Sequence, residues 1–302
     1  MIKAATYNVQ DLYRTANQEH EDLVVDTIRQ LRGDGESELV LAVQEVVAPP
    51  EGGPNAFARL AADTGLNAGP CARGHHVRDG LYHWVGLLWT SGVALVPGSI
   101  QTFDHDGMWH NLVVANVEVA GTRARVGSYH GSPFDQDRNV AEAKRIAAVY
   151  RFGSDLPGLI GADWNSLSAD RYQRHDLEQY GQWELYDTLD PYRRGWAPHF
   201  TFQTTWSWEH GHRVTHSDRR AGDVLYSAGM TDARLPVRAK LTPTTGHHPD
   251  DPHGPRTIDR IHLTPHFAGA VDTVTVHDTP TAQKASDHLP AVVTLDPNRV
   301  QQ

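Results

Sequence analysis

Leu159-Ile160-Gly161-Ala162-Asp163-Trp164-Asn165-Ser166 carries a short apolar run to a glycine and then delivers two polar groups two positions apart. Residues i and i+2 of a strand share a face, so Asp163 and Asn165 point into one site. Alone the pair is weak evidence, because aspartate and asparagine are ordinary turn residues. Its weight comes from five other stretches of the same design, each an apolar strand pattern ending in a polar group.

Toward the N-terminus, Arg123 to His130 alternates so that Ala124, Val126, Ser128 and His130 share a face. Leu39 to Val43 is wholly apolar and runs into Gln44-Glu45, and Ile2 to Val9 reads as a buried strand ending in Tyr7-Asn8-Val9-Gln10. Toward the C-terminus come Thr257-Ile258-Asp259-Arg260-Ile261 and Ser286-Asp287-His288-Leu289-Pro290, the latter leading into a strand from Ala291 to Leu295. Helical spacing predicts helices over Glu19 to Arg32 (stopped by Gly33), over Asn55 to Thr64, and from Asp135 to about Tyr150. Further strands are predicted over Trp84 to Trp89, Val93 to Val96, Asn111 to Val119 and Ala270 to Val276. No repeat or linker divides the chain, so one mixed α/β domain spanning residues 1–302 is the economical reading. The stretch from about 170 to 256 reads as a less regular insertion rich in Trp, His, Arg and Pro, with Gly246 to Pro255 as a mobile loop.

Bulk composition narrows the function classes. The 302 residues are 39% hydrophobic and 21% charged, ordinary for a soluble globular chain. No apolar run approaches a membrane span. A single cysteine, Cys71, excludes an internal disulfide, reads as a small buried side chain and makes a reducing cytoplasm the default location, with a processed secreted form as the alternative. A balance of 27 basic against 37 acidic residues argues against holding long nucleic acid by phosphate neutralisation alone. No protein partner is evident.

Singly, each strand-end polar group has a structural explanation as a cap, a turn or a solvated side chain. Together, Asn8, Glu45, Asp163 and Asp287 offer the oxygen donors that hard divalent cations require. His130 and His288 manage protons near neutral pH, and Asp259 is placed to orient an imidazole. Phosphoryl transfer needs that combination: charge neutralisation, an aligned water and a proton source near the leaving oxygen.

Taken in order, Tyr-Asn-Val at 7–9, Gln-Glu at 44–45, His130, Gly-Ala-Asp-Trp-Asn at 161–165, Ile-Asp-Arg-Ile at 258–261 and Ser-Asp-His-Leu-Pro at 286–290 resemble the endonuclease/exonuclease/phosphatase superfamily over nearly the whole chain. The resemblance implies a DNase I-like four-layer α/β fold, two packed mixed β-sheets flanked by helices, with the site at the sheet ends. It implies hydrolysis of phosphoesters with Mg²⁺ or Mn²⁺. By the same resemblance Glu45 matches the principal metal ligand with Asn8 beside it, and Asp287 a metal-side carboxylate. Asp163 and Asn165 match the pair that positions the attacking water and stabilises the pentacovalent phosphorus. His288 matches the catalytic histidine and Asp259 the carboxylate that orients it. His130 falls where a histidine or tyrosine meets the phosphate or the leaving group, and the division of acid and base roles stays open, with Asp163 also defensible as the base.

The insertion contributes secondary candidates. Trp196, Phe200, Phe202, Trp206 and Trp208 either stack on a base or sugar or fill core against the sheet, and core filling is the favoured reading. Arg193, Arg194, Arg219 and Arg220 are candidates for a phosphate-binding rim, with solvated surface as the commoner alternative. Arg138 opposes its helix dipole, so a fixed acidic partner is expected. The histidines at 75–76, 199, 210, 212, 216 and 247–248 lack the spacing of a structural zinc site. Three functions follow: a phosphodiesterase acting on nucleic acid or a nucleotide-like diester, a phosphatase of a small phosphorylated metabolite, sugar or lipid head group, and a binding protein that lost the chemistry. Intact Asn8, Glu45, Asp163, Asn165, Asp259 and His288 disfavour the third.

Overall fold

The computed structural model describes residues 1–33, 35–103, 107–151, 155–173, 182–194, 202–248, 251 and 253–301, with the side chains of 193 and 194 excluded. Two mixed sheets dominate. The first runs Val271–Val276, Ala291–Leu295, Ile2–Leu12, Glu38–Ala48, Tyr82–Trp89, Asn67–His76. The second runs Thr231–Asp232, Asp259–Leu263, Gly158–Asp163, Thr122–His130, Leu112–Val119, Val93–Leu95, with Gln101–Thr102 also paired to Leu112–Val119. Each sheet contains one parallel pair, Ile2–Leu12 with Glu38–Ala48 and Thr122–His130 with Gly158–Asp163. Parallel neighbours need a long crossover, and the helices Gln18–Arg32 and Gln136–Arg151 supply them.

Strand alternation explains the layering. Ile2, Ala4, Val40, Ala42 and Leu87 face inward against Val117, Val126, Leu159 and Ile261 of the other sheet. The opposite parity, Ala5, Tyr7, Leu41 and Val43, faces outward onto Val24, Ile28, Phe57 and Leu60 of the helices Gln18–Arg32 and Gly53–Thr64. On the far side Ile160 and Ala162 meet Ile146 and Tyr150 of Gln136–Arg151 and Leu225 of the helix Arg220–Ser227. The result is helix, sheet, sheet, helix, the four layers expected. Such two-sided burial is why these strands read as continuous apolar runs.

The sheets approach closely beneath the site. A Cβ on Gly161 would lie 2.8 Å from the Ala42 Cβ and 2.9 Å from the Thr6 Cβ, so only glycine fits between them. Beside it a buried polar seam crosses the interface. Thr6 Oγ1 donates to Gln44 Oε1 (3.2 Å), Gln44 Nε2 to Ser128 Oγ (3.1 Å), and Ser128 Oγ to Val43 O (3.1 Å). Every member is paired, so the seam joins the sheets without leaving unsatisfied polar groups at those contacts.

Several expectations need revision. The first strand continues past Val9 to Leu12, and the second continues through Glu45 to Ala48. The stretch 170–256 is not simply irregular. It includes the short pair Arg171–Gln173 with Trp183–Leu185, the hairpin Thr204–Glu209 with His212–Ser217, and the helix Arg220–Ser227, while Thr231–Asp232 joins the edge of the second sheet. The ends of the presumed loop 246–255 are tied: Thr245 bridges both Arg256 and His288, and His247 Nε2 lies 3.0 Å from Ser286 O. Cys71 is partly rather than fully buried.

Candidate active site

Register assembles the second sheet's contribution. His130 is the cross-strand partner of Asp163, and Asp163 is the partner of Asp259. Two strand ends and the start of their antiparallel neighbour therefore form one row, and alternation turns its side chains to one face. The first sheet reaches the same place by a different device. Pairing of Ile2–Leu12 with Glu38–Ala48 slips between Asn8 and Leu12, and pairing of Glu38–Ala48 with Tyr82–Trp89 slips between Val43 and Val46. Gln10, Asp11 and Glu45 there hold φ of 47°, 56° and 65°, a left-handed region that non-glycine residues rarely occupy. Two neighbouring strands thus bulge side by side, which re-aims their side chains into the cleft.

The groups converge on Asp163. Asn8 Nδ2 donates to Asp163 Oδ2 (3.1 Å) and to Glu45 Oε1 (3.0 Å). His130 Nε2 lies 3.3 Å from Asp163 Oδ2 and 3.7 Å from Glu45 Oε1. His288 Nε2 lies 3.8 Å from Asp163 Oδ2, while its Nδ1 lies 3.0 and 2.9 Å from the two oxygens of Asp259. The His288 segment is fixed by Ser286, whose Oγ donates to Asn8 O (2.8 Å) and accepts from the His288 N–H (3.0 Å). Asn165, at φ 47°, donates Nδ2 to Gly131 O (3.1 Å), and its Oδ1 accepts from Gln203 Nε2 (3.0 Å). Asp287 is half-exposed, its carboxylate 4.0 Å from His288 Nε2 and its N–H donated to Gln10 Oε1.

Electrostatics divides these groups. Burial opposes ionisation of Asp163, but the facing His288 and His130 imidazoles and the Asn165 N–H outweigh it and hold its carboxyl below the usual range. Burial alone lowers the basicity of His288, yet Asp259 and Asp163 overcome it and push the imidazole well above the ordinary histidine value. Burial also pushes the Asp259 carboxyl above its ordinary value, with the facing His288 imidazole opposing it. The cleft combines an ionised carboxylate with a neighbouring imidazole that retains its proton.

Asp11, His83 and His110 also belong here and were not anticipated. His83 Nε2 lies 2.6 Å from Asp11 Oδ1 and 4.0 Å from Glu45 Oε2, and Asp11 N–H donates to Glu45 Oε2 (3.3 Å). Burial works against charge on His83, but Asp11 and Glu45 raise its basicity overall. His110 stacks on His130 at 3.9 Å between centroids, and burial together with the neighbouring imidazoles lowers it well below the ordinary value. The signal was present: His83 begins an inward-facing row with Val85, Leu87 and Trp89. An antiparallel strand brings its start to the edge where its neighbour ends, so a polar group at a strand start reaches the cleft as one at a strand end does.

Among the described residues three groups are close enough to hold a metal ion: Asp11, Glu45 and His83; Glu45, His130 and Asp163; and Asp163, Asp259 and His288. Oxygen donors from several carboxylates fit a hard divalent cation, and the buried His83 and His130 Nδ1 atoms, which lack hydrogen-bond partners, mark polar capacity still unspent. Asp287 and the histidines at 75–76, 210, 212, 216 and 247–248 belong to none of these groups.

The rim differs from expectation. Arg219 is committed to the Ser168 and Leu189 carbonyls, and Arg220 pairs with Asp218 and Asp137, so neither guanidinium is presented as a spare phosphate-binding cation. Arg138 has no ion-pair partner among the described residues, which corrects the expected salt bridge. Its guanidinium donates to Gly107 O and lies over the Trp109 ring. Trp206 and Trp208 are 51% and 68% exposed, which overturns core filling for both. Trp196, His199, Phe200 and the side chains of Arg193 and Arg194 lie outside the described residues.

No family model matches the chain, and no curated protein matches it in sequence. Solved structures do match along its length. An AP endonuclease from Archaeoglobus fulgidus is 18% identical, with 98% of this chain and 100% of that one covered at a TM-score of 0.59. An endonuclease/exonuclease/phosphatase from Bacteroides vulgatus is 15% identical, with 98% and 99% covered at 0.62. A mannosyl-6-phosphatase from Bacteroides thetaiotaomicron is 12% identical, with 98% and 100% covered at 0.57. The chain has the DNase I-like fold of these endonuclease/exonuclease/phosphatase structures.

Proposed function

We propose that this chain is a divalent-metal-dependent phosphoester hydrolase acting on a diester. The observation that carries the reading is the convergence on Asp163 of Asn8 and Glu45 from one sheet with His130 and the Asp259–His288 couple from the other. Asn8, Glu45, Asp11 and His83, with Asp163 alongside, would hold Mg²⁺ or Mn²⁺. When bound, such an ion neutralises charge on the phosphoryl oxygens. The chain's own residues supply the rest. Ionised Asp163 orients the attacking water and accepts from it. Asp259 fixes the tautomer and direction of His288, which presents Nε2 to the reacting centre. With its carbonyl held by Gln203, the Asn165 amide keeps one N–H for a phosphoryl oxygen.

The diester assignment follows from charge. No lysine or arginine among the described residues pairs with the carboxylates of Glu45, Asp163 or Asp259, and Arg14 is occupied by Asp11. A monoanionic diester suits such a cleft better than a dianionic monoester. The second reading, a phosphatase for a small phosphorylated molecule, is favoured by the net charge of −10, which discourages long polyanions.

Turnover of bis-p-nitrophenyl phosphate and of p-nitrophenyl phosphate with Mn²⁺, Mg²⁺ or chelator tests the assignment. The expected result is metal-dependent release from the diester that chelator abolishes. Release from the monoester alone would select the phosphatase reading, and no turnover of either ester with metal would remove the enzymatic one.

A further inference from the structure

The wall of the cleft beside Asn165 is aromatic. Trp109, Phe134 and Phe202 come from three separate segments, and each adjoins the site through a near neighbour in the chain. Trp109 precedes His110, which stacks on His130. Phe134 follows His130 by four positions, and its N–H donates to Ser132 Oγ. Phe202 precedes Gln203, which donates to Asn165. The rings touch in sequence: His75 stacks on Trp109 (4.2 Å), Trp109 meets Phe134 edge-on (6.5 Å), and Phe134 meets Phe202 edge-on (5.5 Å). Phe134 is 57% and Phe202 46% exposed, so the wall turns apolar faces to solvent.

The hairpin Thr204–Glu209 with His212–Ser217, which follows Phe202 in the chain, carries two more exposed rings. Alternation places Trp206 and Trp208 on one face, where they meet edge-on, and Arg213 lies over Trp206. The other face is polar, with Ser207, Glu209 and His216 hydrogen-bonded together. The hairpin base is fixed: Ser217 donates to Asp190, and Gln203 accepts from Tyr192 as well as donating to Asn165. A hairpin that keeps its polar face satisfied and leaves two tryptophans in water has the wrong polarity for core. It has the right one for stacking.

We propose that His75, Phe134, Phe202, Trp206 and Trp208, with Trp109 backing His75, form a stacking track for unpaired nucleobases, so that the substrate is single-stranded nucleic acid or a duplex segment with bases turned out. The proposal rests on reading the cleft as a phosphodiester site. Its support is the exposure of these rings, the adjacency of Phe202 to Gln203, which donates to Asn165, and the placement of Arg138 and Arg213 over rings. An acidic chain that gains affinity from base faces avoids the repulsion that backbone neutralisation would have to overcome. Paired bases hide their faces in the stack and offer the track nothing.

Calorimetric titration of the full chain in chelator, with a thymidine octamer, an octamer of the same charge lacking bases, and an octamer duplex, tests this without turnover. The single strand is expected to bind at least about tenfold more tightly than either control, with a shallow salt dependence. Phe202→Ala and Trp206→Ala should each weaken it roughly fivefold to a hundredfold, and Trp206→Tyr should restore most of the loss. Equal binding of the base-free octamer, unchanged affinity in both alanine variants, or no binding of the thymidine octamer would overturn the proposal. So would capture on phosphatidylglycerol vesicles that depends on Trp206 while oligomer binding does not. Failure of bis-p-nitrophenyl phosphate turnover with single-strand preference intact would remove the hydrolase reading alone.

Discussion

Replacing Asp259 by asparagine keeps the shape of the cleft and removes the carboxylate nearest His288. The carboxylate accepts from Nδ1 at 2.9 to 3.0 Å with no exposure to solvent, while Asp163 stands 3.8 Å from the other ring nitrogen. A hydrogen bond to a charged group is worth about 2 kcal/mol net, and the Coulomb attraction of such a pair at an effective dielectric of 20 is about 4 kcal/mol. Turnover of bis-p-nitrophenyl phosphate with Mn²⁺ should therefore fall roughly 30-fold to 1000-fold. KM should move little, because Asp259 touches the imidazole rather than the ester. The pH profile carries the sharper information. Asp259 holds the His288 pKa up, so its removal lets the ring lose its proton at lower pH. A downward shift of the alkaline limb would make His288 the acid, and a downward shift of the acidic limb would make it the base. Turnover within threefold of the parent, with neither limb displaced and the fold intact, would refute the reasoning.

Gln203→Leu should leave the Asn165 carbonyl without its donor and free the amide to turn, lowering kcat about tenfold with KM nearly unchanged, as steady-state kinetics would show. Gly161→Ala should cost roughly 1 to 3 kcal/mol in denaturant unfolding, because its Cβ meets Ala42 and Thr6 across the sheet interface; an unchanged midpoint would deny the close approach. Burial and the neighbouring Asp232 charge push the Asp170 carboxyl up to about 7, against an ordinary value of 3.8. Between those values the folded chain holds a proton that the unfolded chain has released. Its stabilising contribution is therefore complete at pH below the ordinary value and is lost as pH rises through about 7. Asp170→Asn should flatten the pH dependence of stability by about 3 kcal/mol between about pH 5 and pH 8, measured by denaturant titration of both proteins.

Much of the site was legible because its residues obey a simple positional rule. Asp163 and His130 close apolar strands, Asp259 opens the antiparallel strand beside Asp163, and cross-strand register places the three side by side. Glu45 was legible for a similar reason, though nothing in Gln44-Glu45 announces the left-handed φ that turns it inward. Asp11 and His83 escaped because a bulge and an antiparallel reversal, both set by pairing partners distant in sequence, bring them to the cleft. The hairpin at 204–217 defeated a pattern reading for a different reason. Tryptophan at alternating positions means an apolar face, and only the surrounding structure decides whether that face meets core or water. Arg219 and Arg220 show the same limit for charge, since their partners are carbonyls and carboxylates of nearby loops.

The reagents of this cleft are divided between two halves of the molecule. Asn8, Asp11, Glu45 and His83 ride on one sheet, whereas His130, Asp163, Asn165 and Asp259 ride on the other or its immediate continuation. The packed floor, with Gly161 and the Thr6–Gln44–Ser128 seam, keeps the two sets in reach of each other. Any loosening that parts the layers by an ångström disables the chemistry while each layer still keeps its own strands and helices. Heating should therefore silence turnover before circular dichroism registers any loss of regular structure.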